Sequence, residues 1–296
     1  MVVMELDRPR FVTREEVFAS RPRADGIRCE GLWVAGTLAG LGSRTVAIVG
    51  TRAPTVAARD RARLVSRELA RAGLCVISGL ALGIDGAAHE GALDAGGATA
   101  GILGGGHRHF FPTANRGLAE RILAAGGAVL SPFAPDEAAR PWQFLQRNGV
   151  VAALADAVVV VEAADRSGAL NTAGWAATLG IDVFAFPGDV DRPKAAGTNA
   201  LIRDGATLVR HAGDILDGLG FARTLVPLPP SEPARPYGTL ERRVLALLAA
   251  EPRSLDALLQ ATGGTVPDAI GCLTRLELEG VLERRSDTLE YALRAT

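Results

Sequence analysis

A chain of 296 residues is too long for one ordinary domain and long enough for a large domain with a small partner. Apolar residues make up 48 % of it and Gly numbers 35 against 5 % aromatics, a profile that excludes general disorder and fits a parallel sheet with many tight strand-to-helix turns. The formal net charge of −1 excludes a global field drawing the protein to nucleic acid or acidic membranes, so any phosphate site has to be a local cluster, built on arginine because Lys194 is the only lysine.

Residues 1–42 carry mixed charge and weak periodicity and read as a lead-in too short for its own core. From Thr45 short β-rich runs alternate with amphipathic stretches, the pattern of βαβ units. The predicted strands are Thr45–Val49, Leu74–Ile77, Ala98–Leu103, Ala128–Leu130, Ala157–Val161 and Asp182–Phe186. The predicted helices are Val56–Ala72, Asp85–Ala95, Asn115–Ala125, Asn148–Leu154 and Asn171–Leu179. Right-handed crossovers turn this order into an α/β, extended Rossmann-like, doubly wound and mostly parallel sheet over 43–222, with the valines 158–161 on a strand buried on both faces. Five prolines within Leu225–Tyr237 mark a semi-rigid linker, assigned to 223–237. Beyond it, Thr239–Ala250, a helix capped by Ser254 and running through Leu259, and Pro267–Glu279 precede a hairpin over Val281–Leu293 turning at Ser286-Asp287. That is the layout of a small C-terminal winged-helix domain, 238–296.

Cys29, Cys75 and Cys272 stand far apart, which excludes a zinc knuckle or a disulfide framework and points to a reducing compartment. With no leader-like N-terminus and no apolar run of the roughly 18 residues a membrane span needs, a cytoplasmic protein with no membrane partner is expected.

An open parallel sheet binds ligands at the carboxyl ends of its strands, beside the topological switch point. Five loops rich in Gly and small polar residues fall there: Gly50-Thr51-Arg52; Ser78-Gly79 through Gly83 to Asp85; Gly104-Gly105-Gly106, leading to Asn115; Ser167-Gly168 with Thr172; and Pro187-Gly188-Asp189 with Gly197-Thr198-Asn199. Any one of them can be a structural turn. All five at one edge predict an anion nest for a ligand with more than one phosphate, and Asp85 can cap the helix that carries His89.

The first loop is not GxGxxG, no acidic residue ends the second strand to hold a ribose, and no GxxxxGK[ST] occurs, so neither a dinucleotide cofactor nor ATP hydrolysis is expected. His107 and His109 lack the carboxylates or thiols that would complete a metal site, His89 reads as a packing histidine, and Ser167 has no nucleophile elbow. The expectation is a binding protein, with no enzyme activity, no cofactor and no metal.

The string Val46-Ala47-Ile48-Val49-Gly50-Thr51-Arg52 resembles the VAIVGSR opening of the DNA-processing protein A (DprA/Smf) family, and Ser78–Asp85 with Ala88-His89 resembles its SGLAxGIDxxAH block. Pro112 and Asn115, Phe144–Asn148, Val161–Ala163 with Ser167-Gly168 and Thr172-Ala173, and Pro187-Gly188 with Gly197-Thr198-Asn199 and Leu201-Ile202 follow that family's remaining blocks in order. The resemblance implies an extended Rossmann-like domain that dimerises, binds single-stranded DNA in a basic pocket and loads RecA during natural transformation and recombination, with a single-stranded-DNA-binding protein as a further partner. Carried onto this chain, the DNA-binding set is Gly50, Thr51, Arg52, Ser78, Gly79, Gly83, Gly104, Gly105, Gly106, Asn115, Arg147, Asn148, Ser167, Gly168, Thr172, Lys194 and Asn199. Arg52, Arg147 and Asn148 would grip phosphates, and the Ser167-Gly168 and Gly104–Gly106 loops would donate amides.

Three departures stand out. Gly149 replaces the second Arg of the family's FPxRNR, which predicts one lost phosphate contact, and Ser131-Pro132 replaces its usual Ser-Glu. The first forty residues leave no room for the N-terminal helical DNA-binding domain of some members, so affinity is expected to rest on dimer avidity. The winged-helix segment holds seven basic against nine acidic residues, and its third helix sets Arg275 beside Glu277 and Glu279, which predicts a contact with protein or with its own domain and not with a DNA groove. The alternative weighed is a nucleotide-derivative phosphoribohydrolase of the lysine-decarboxylase-like Rossmann group. Its catalytic PGGxGTxxE loop is missing: Gly197-Thr198 runs into Asn199-Ala200 with no glutamate.

Overall fold

The computed structural model describes residues 6–19, 21–27, 29–42, 44–221, 237–278, 281–284 and 290–293. The linker segment 222–236 and the Ser286-Asp287 turn lie outside the described residues. The chain divides into two compact units, Met1–Arg223 and Thr224–Thr296.

The first unit is built on nine strands: β1 Arg10–Thr13, β2 Gly31–Gly36, β3 Thr45–Val49, β4 Cys75–Ser78, β5 Thr99–Ile102, β6 Ala128–Ser131, β7 Ala157–Val160, β8 Asp182–Ala185 and β9 Thr207–Leu208. They lie side by side in the order β1-β2-β6-β5-β4-β3-β7-β8-β9. From β6 to β9 every pairing is parallel; β2 joins β6, and β1 joins β2, antiparallel. The segment 1–42 thus supplies two edge strands. β2 alternates within Leu-Trp-Val-Ala and seats Leu32 and Val34 in the core, a two-residue period short enough to be hidden between its two terminal glycines.

The helices are α1 Arg14–Val17, α2 Val56–Arg71, α3 Ile84–Asp94, α4 Arg116–Ala124, α5 Pro141–Ala153, α6 Gly168–Thr178, α7 Ala196–Arg203 and α8 Ala212–Gly218. Strand alternation divides the core between the two faces of the sheet. Ala47, Val49, Val158 and Val160 pack with α5 and α6, while Val46, Ile48 and Val159 pack with α2, α3 and α8. All of β7 is buried, as its valines require, between β3 and β8.

After β3 the chain winds one way through β4, β5 and β6, then returns to β7 on the other side of β3 and winds the other way. The topological switch point therefore lies between the carboxyl ends of β3 and β7. Two helices begin earlier than periodicity suggests, and both reach toward this point. Pro141 opens α5 at its first turn, with Arg140 and Gln143 closing a reciprocal cap, and the Ser167 hydroxyl caps α6 by accepting from the Ala169 amide at 3.3 Å.

The second unit carries α9 Thr239–Leu248, β10 Arg253–Ser254, α10 Leu255–Thr262, α11 Val266–Leu278, β11 Leu282–Arg284 and β12 Glu290–Leu293. Its three strands pair antiparallel in the order β10-β12-β11, and Val244, Leu248, Leu258, Cys272, Leu273, Leu276 and Leu282 form its own core. Ser254 caps α10 as its residue type predicts. Among the described residues no helix is long and apolar enough to cross a membrane.

Candidate functional site

A cleft of about 360 Å³ opens at the switch point, walled by Val49, Gly50 and Arg52 after β3, Gly79, Ala81 and Asp85 after β4, one face of α5, and the start of α6. The α5 face is Phe144, Leu145, Arg147, Asn148 and Val151; α6 contributes Ser167, Gly168, Ala169 and Thr172.

The first wall is pinned. The Thr51 amide donates to the Glu162 carbonyl at 2.8 Å, and the Thr55 amide and hydroxyl both donate to the Glu162 carboxylate at 2.9 Å. Lys194 ties the same loop down, donating from Nζ to the Ala53 carbonyl at 2.6 Å. Arg52 is left exposed at the top of this fixed loop, its guanidinium 5.4 Å from the centre of the Phe144 ring. A cation stacked on an aromatic face keeps its in-plane N–H donors for another partner.

The cleft floor is a buried charge pair joined by backbone. Asp85 accepts the Gly79 amide at 3.1 Å and the Ala81 amide at 3.3 Å, while Arg147 donates through Nη1 to the carbonyls of Gly79 and Ile102. The Gly79 peptide thus bridges the anion and the cation. Arg147 is 3 % exposed and its Nε is buried without a hydrogen-bond partner. Burial pushes the Arg147 guanidinium down to about 10, opposed by Asp85 and reinforced by Arg52, so it is still charged at neutral pH. Burial likewise raises the Asp85 carboxyl, and Arg147 draws it back. A Cβ at Gly79 would meet the Arg147 guanidinium, so the glycine is needed to house the arginine. Next to it Leu80 adopts φ 54°, a left-handed conformation unusual for a side chain of that kind. Asn115 holds it there, donating from Nδ2 to the Leu80 and Ala81 carbonyls at 2.9 Å each.

The fourth wall is the α6 N-terminus. Asn148 reaches across to it, donating to the Gly168 carbonyl and the Asn171 side-chain oxygen at 3.2 Å each. The first-turn amides of a helix have no partner inside it, so this end offers donors and a partial positive charge to the cleft.

Of the expected site residues, Gly50, Arg52, Gly79, Arg147, Asn148, Ser167, Gly168 and Thr172 meet in this cleft. Thr51, Gly83 and Asn115 shape its loops from behind: Gly83, at φ 83°, opens α3 and packs on the Thr51 carbonyl. Ser78 is fully buried and donates to the Ile48 carbonyl at 2.6 Å. Gly104 lies under the Phe144 ring, Gly105 accepts from Ser131 at 2.8 Å, and the Gly106 amide is taken by the Glu137 carbonyl at 2.7 Å. That loop builds the wall behind Phe144. Asn199 exchanges hydrogen bonds with Gly188 at 3.0 and 3.1 Å. The fifth loop lines a separate groove of about 440 Å³ beyond the Thr55–Glu162 contact, so the five loops share an edge but not one pocket.

Two sequence inferences change. Asp85 does not cap α3, whose cap position is Gly83; its carboxylate turns back to the preceding loop. Gly149 faces the core, where a Cβ would stand 3.0 Å from Ile27 and 3.2 Å from the Trp175 ring, so the arginine it replaces marks no gap in this cleft. Phe144, Leu145 and Asp85 join the lining, and Glu162 organises it. The signal for the first two was present: 144, 145, 148 and 151 form one helical face once the helix is started at Pro141.

The two buried histidines, His89 and His107, are structural. His89 is fully buried, and because the Thr99 hydroxyl donates to the Val76 carbonyl at 2.7 Å it can only accept from His89 Nδ1 at 2.8 Å. This fixes the neutral Nδ1–H tautomer, and burial drives the pKa down to about 3. His107 bonds to the Val129 carbonyl at 2.9 Å. Among the described residues no three His, Cys, Asp or Glu side chains gather as a metal site.

Fold and site together define a class: a doubly wound α/β domain with arginines and a helix N-terminus gathered at its switch point, followed in the chain by a three-helix, three-strand winged-helix unit. The profile of the family described as DNA recombination-mediator protein A matches residues 27–220, and that of the DprA winged helix domain matches residues 228–287. Protein Smf of Escherichia coli K12 is 36 % identical over 258 residues, covering 84 % of this chain and 68 % of that protein. A DNA processing protein DprA of Mycobacterium tuberculosis, itself a provisional assignment, is 39 % identical over 263 residues, covering 86 % of this chain and 66 % of that protein. The solved structure of DNA processing protein A from Streptococcus pneumoniae superposes with a TM-score of 0.65 at 34 % identity over 73 % of this chain and 76 % of its own. That from Helicobacter pylori superposes at 0.64 and 28 % identity over 72 % of this chain and 97 % of its own. The chain belongs to the DNA recombination-mediator protein A (DprA/Smf) family. It spans about two thirds of the length of the curated relatives it matches.

Proposed function

We propose that this chain binds single-stranded DNA by its backbone in the switch-point cleft and acts as a recombination mediator that delivers the strand to RecA, working as a cytoplasmic homodimer without turnover chemistry. The observation that carries the reading is the cleft's charge arrangement. Arg52 stands exposed, Arg147 lies charged beneath it, and the α6 N-terminus faces both, while the cleft's lone carboxylate, Asp85, is already held by two amides. Such a site suits consecutive phosphates and carries no base code, so binding should be salt-sensitive and indifferent to sequence. The Helicobacter pylori relative, which this chain resembles in both sequence and fold, is described as having a unique single-stranded DNA binding mode. The phosphoribohydrolase alternative gains nothing from the cleft, because Asp85, the one carboxylate in its described lining, is engaged by two backbone amides.

The test is a gel shift of the full chain with oligothymidine at 50 and 200 mM salt, beside an assay for base release from nucleoside monophosphates. Salt-sensitive binding that Arg52→Ala weakens at least about tenfold, with no base released, is the expected result. Binding unchanged in Arg52→Ala removes the cleft from the mechanism, and base release restores the hydrolase.

A further inference from the structure

Three of the exposed large apolar side chains of the first unit lie on or against α5, a wall of the cleft. Phe111 is 53 % exposed, Trp142 52 % and Leu145 51 %. Leu145 lines the cleft itself. Phe111 meets Phe144, also a cleft residue, edge to face with ring centres 5.9 Å apart and planes at 67°. Trp142, one turn before the cleft residue Leu145 on α5, is held the same way by Phe133 at 6.0 Å and 88°. Contacts of this geometry fix a ring by one edge or face, and half-exposure leaves the rest of it open. Fixed, half-open rings next to a cationic cleft leave apolar surface in water that a purely phosphate-binding site does not require.

We propose that Phe111 and Trp142 form a stacking rim that takes the unpaired bases of the strand whose phosphates occupy the cleft. This rests on the single-stranded DNA reading above and adds what that reading lacks, a reason for the site to require bases and for those bases to be unpaired. Continuity and charge argue for this occupant. The rim joins the cleft through the Phe111–Phe144 contact, and Arg52 lies over the same Phe144 ring, so one strand can set a phosphate on the guanidinium and a base on the adjacent ring. Every base has a π-face, so the rim adds affinity without a sequence code, whereas paired bases inside a duplex stack cannot reach it.

The experiment compares the full chain's affinity for oligothymidine and for an abasic oligomer of equal phosphate number, with tryptophan fluorescence recorded in the same titration. Oligothymidine should bind about tenfold or more tightly than the abasic strand, as one or two stacked bases provide, and should quench a signal that Trp142→Phe removes. In Phe111→Leu/Trp142→Leu, which keeps apolar packing against Phe144 and Phe133 while deleting the rings, the ratio of the two affinities should fall toward one. Circular dichroism checks that this variant is folded. Equal affinities in the wild type, or an unchanged ratio in the folded double variant, overturn the rim and leave the phosphate cleft standing. No binding of either strand overturns both.

Discussion

The switch-point cleft and the third helix of the C-terminal unit are both places where a nucleic acid could be expected, and they treat arginine in opposite ways. In the cleft Arg52 has no carboxylate at ion-pair distance among the described residues, and Arg147 and Asp85 are linked by hydrogen bonds to the carbonyl and amide of Gly79. In the C-terminal unit Arg275 of α11 is drawn back to Glu241 at 3.3 Å and Arg253 is paired with Glu251 at 2.8 Å. The exposed positions of α11 include Asp268, Glu277, Val266 and Ile270. A winged-helix layout alone therefore does not set the arginine of its third helix free for a phosphate. What matters is whether cations are left uncompensated where phosphates would arrive, and the α/β cleft meets that condition.

The contrast can be broken most forcefully at Arg147. Arg147→Leu leaves Asp85 buried without its cation and should destabilise the α/β unit by about 3–5 kcal/mol, read in urea denaturation, while the C-terminal unit keeps its own transition. Asp85→Leu added to it should recover a large part of that loss; a single variant as stable as the wild type would mean that the floor is not a coupled pair. Next in size is Arg52→Ala, about 2 kcal/mol in oligothymidine affinity with a log–log salt slope lower by about 0.7, and no change in unfolding. A loss of stability instead would make Arg52 structural.

Acid sharpens the comparison, because all four histidines lie in the α/β unit. His89 has a folded pKa of about 3 against an ordinary 6.5, so the unfolded chain takes the proton first as pH falls. Its contribution is intact above 6.5 and is lost progressively between 6.5 and 3, with a slope of up to about 1.4 kcal/mol per pH unit. Between pH 7 and 5 the α/β unit should lose about 2 kcal/mol from this source, and His89→Asn should flatten the urea-midpoint profile over that interval. An identical profile in the variant would place the titration elsewhere. The smallest effect is expected from deleting residues 237–296, which should leave oligothymidine affinity within about twofold; a large drop would return a DNA contact to the winged helix.

The sequence by itself determined the alternation of strands and helices from Thr45 onward, because buried parallel strands need unbroken β-branched runs and the helices between them need one apolar stripe. It also placed arginine and glycine at the right edge, since ligand sites of open sheets follow from strand direction. It did not disclose β1 and β2: β2 pairs with β6, nearly a hundred residues away, and β1 joins the sheet only through β2, which leaves almost no local trace. Only the tertiary structure decided which loops share a pocket. Gly79 and Gly106 look alike in sequence, yet one makes room for a buried guanidinium and the other gives its amide to Glu137. Lys194, the lone lysine, serves as a tether behind Arg52, and Gly149 turns to Trp175 and away from the ligand. Periodicity reports which face of an element is buried; whether a polar group on a turn meets solvent, ligand or a neighbouring carbonyl depends on what the rest of the chain brings beside it.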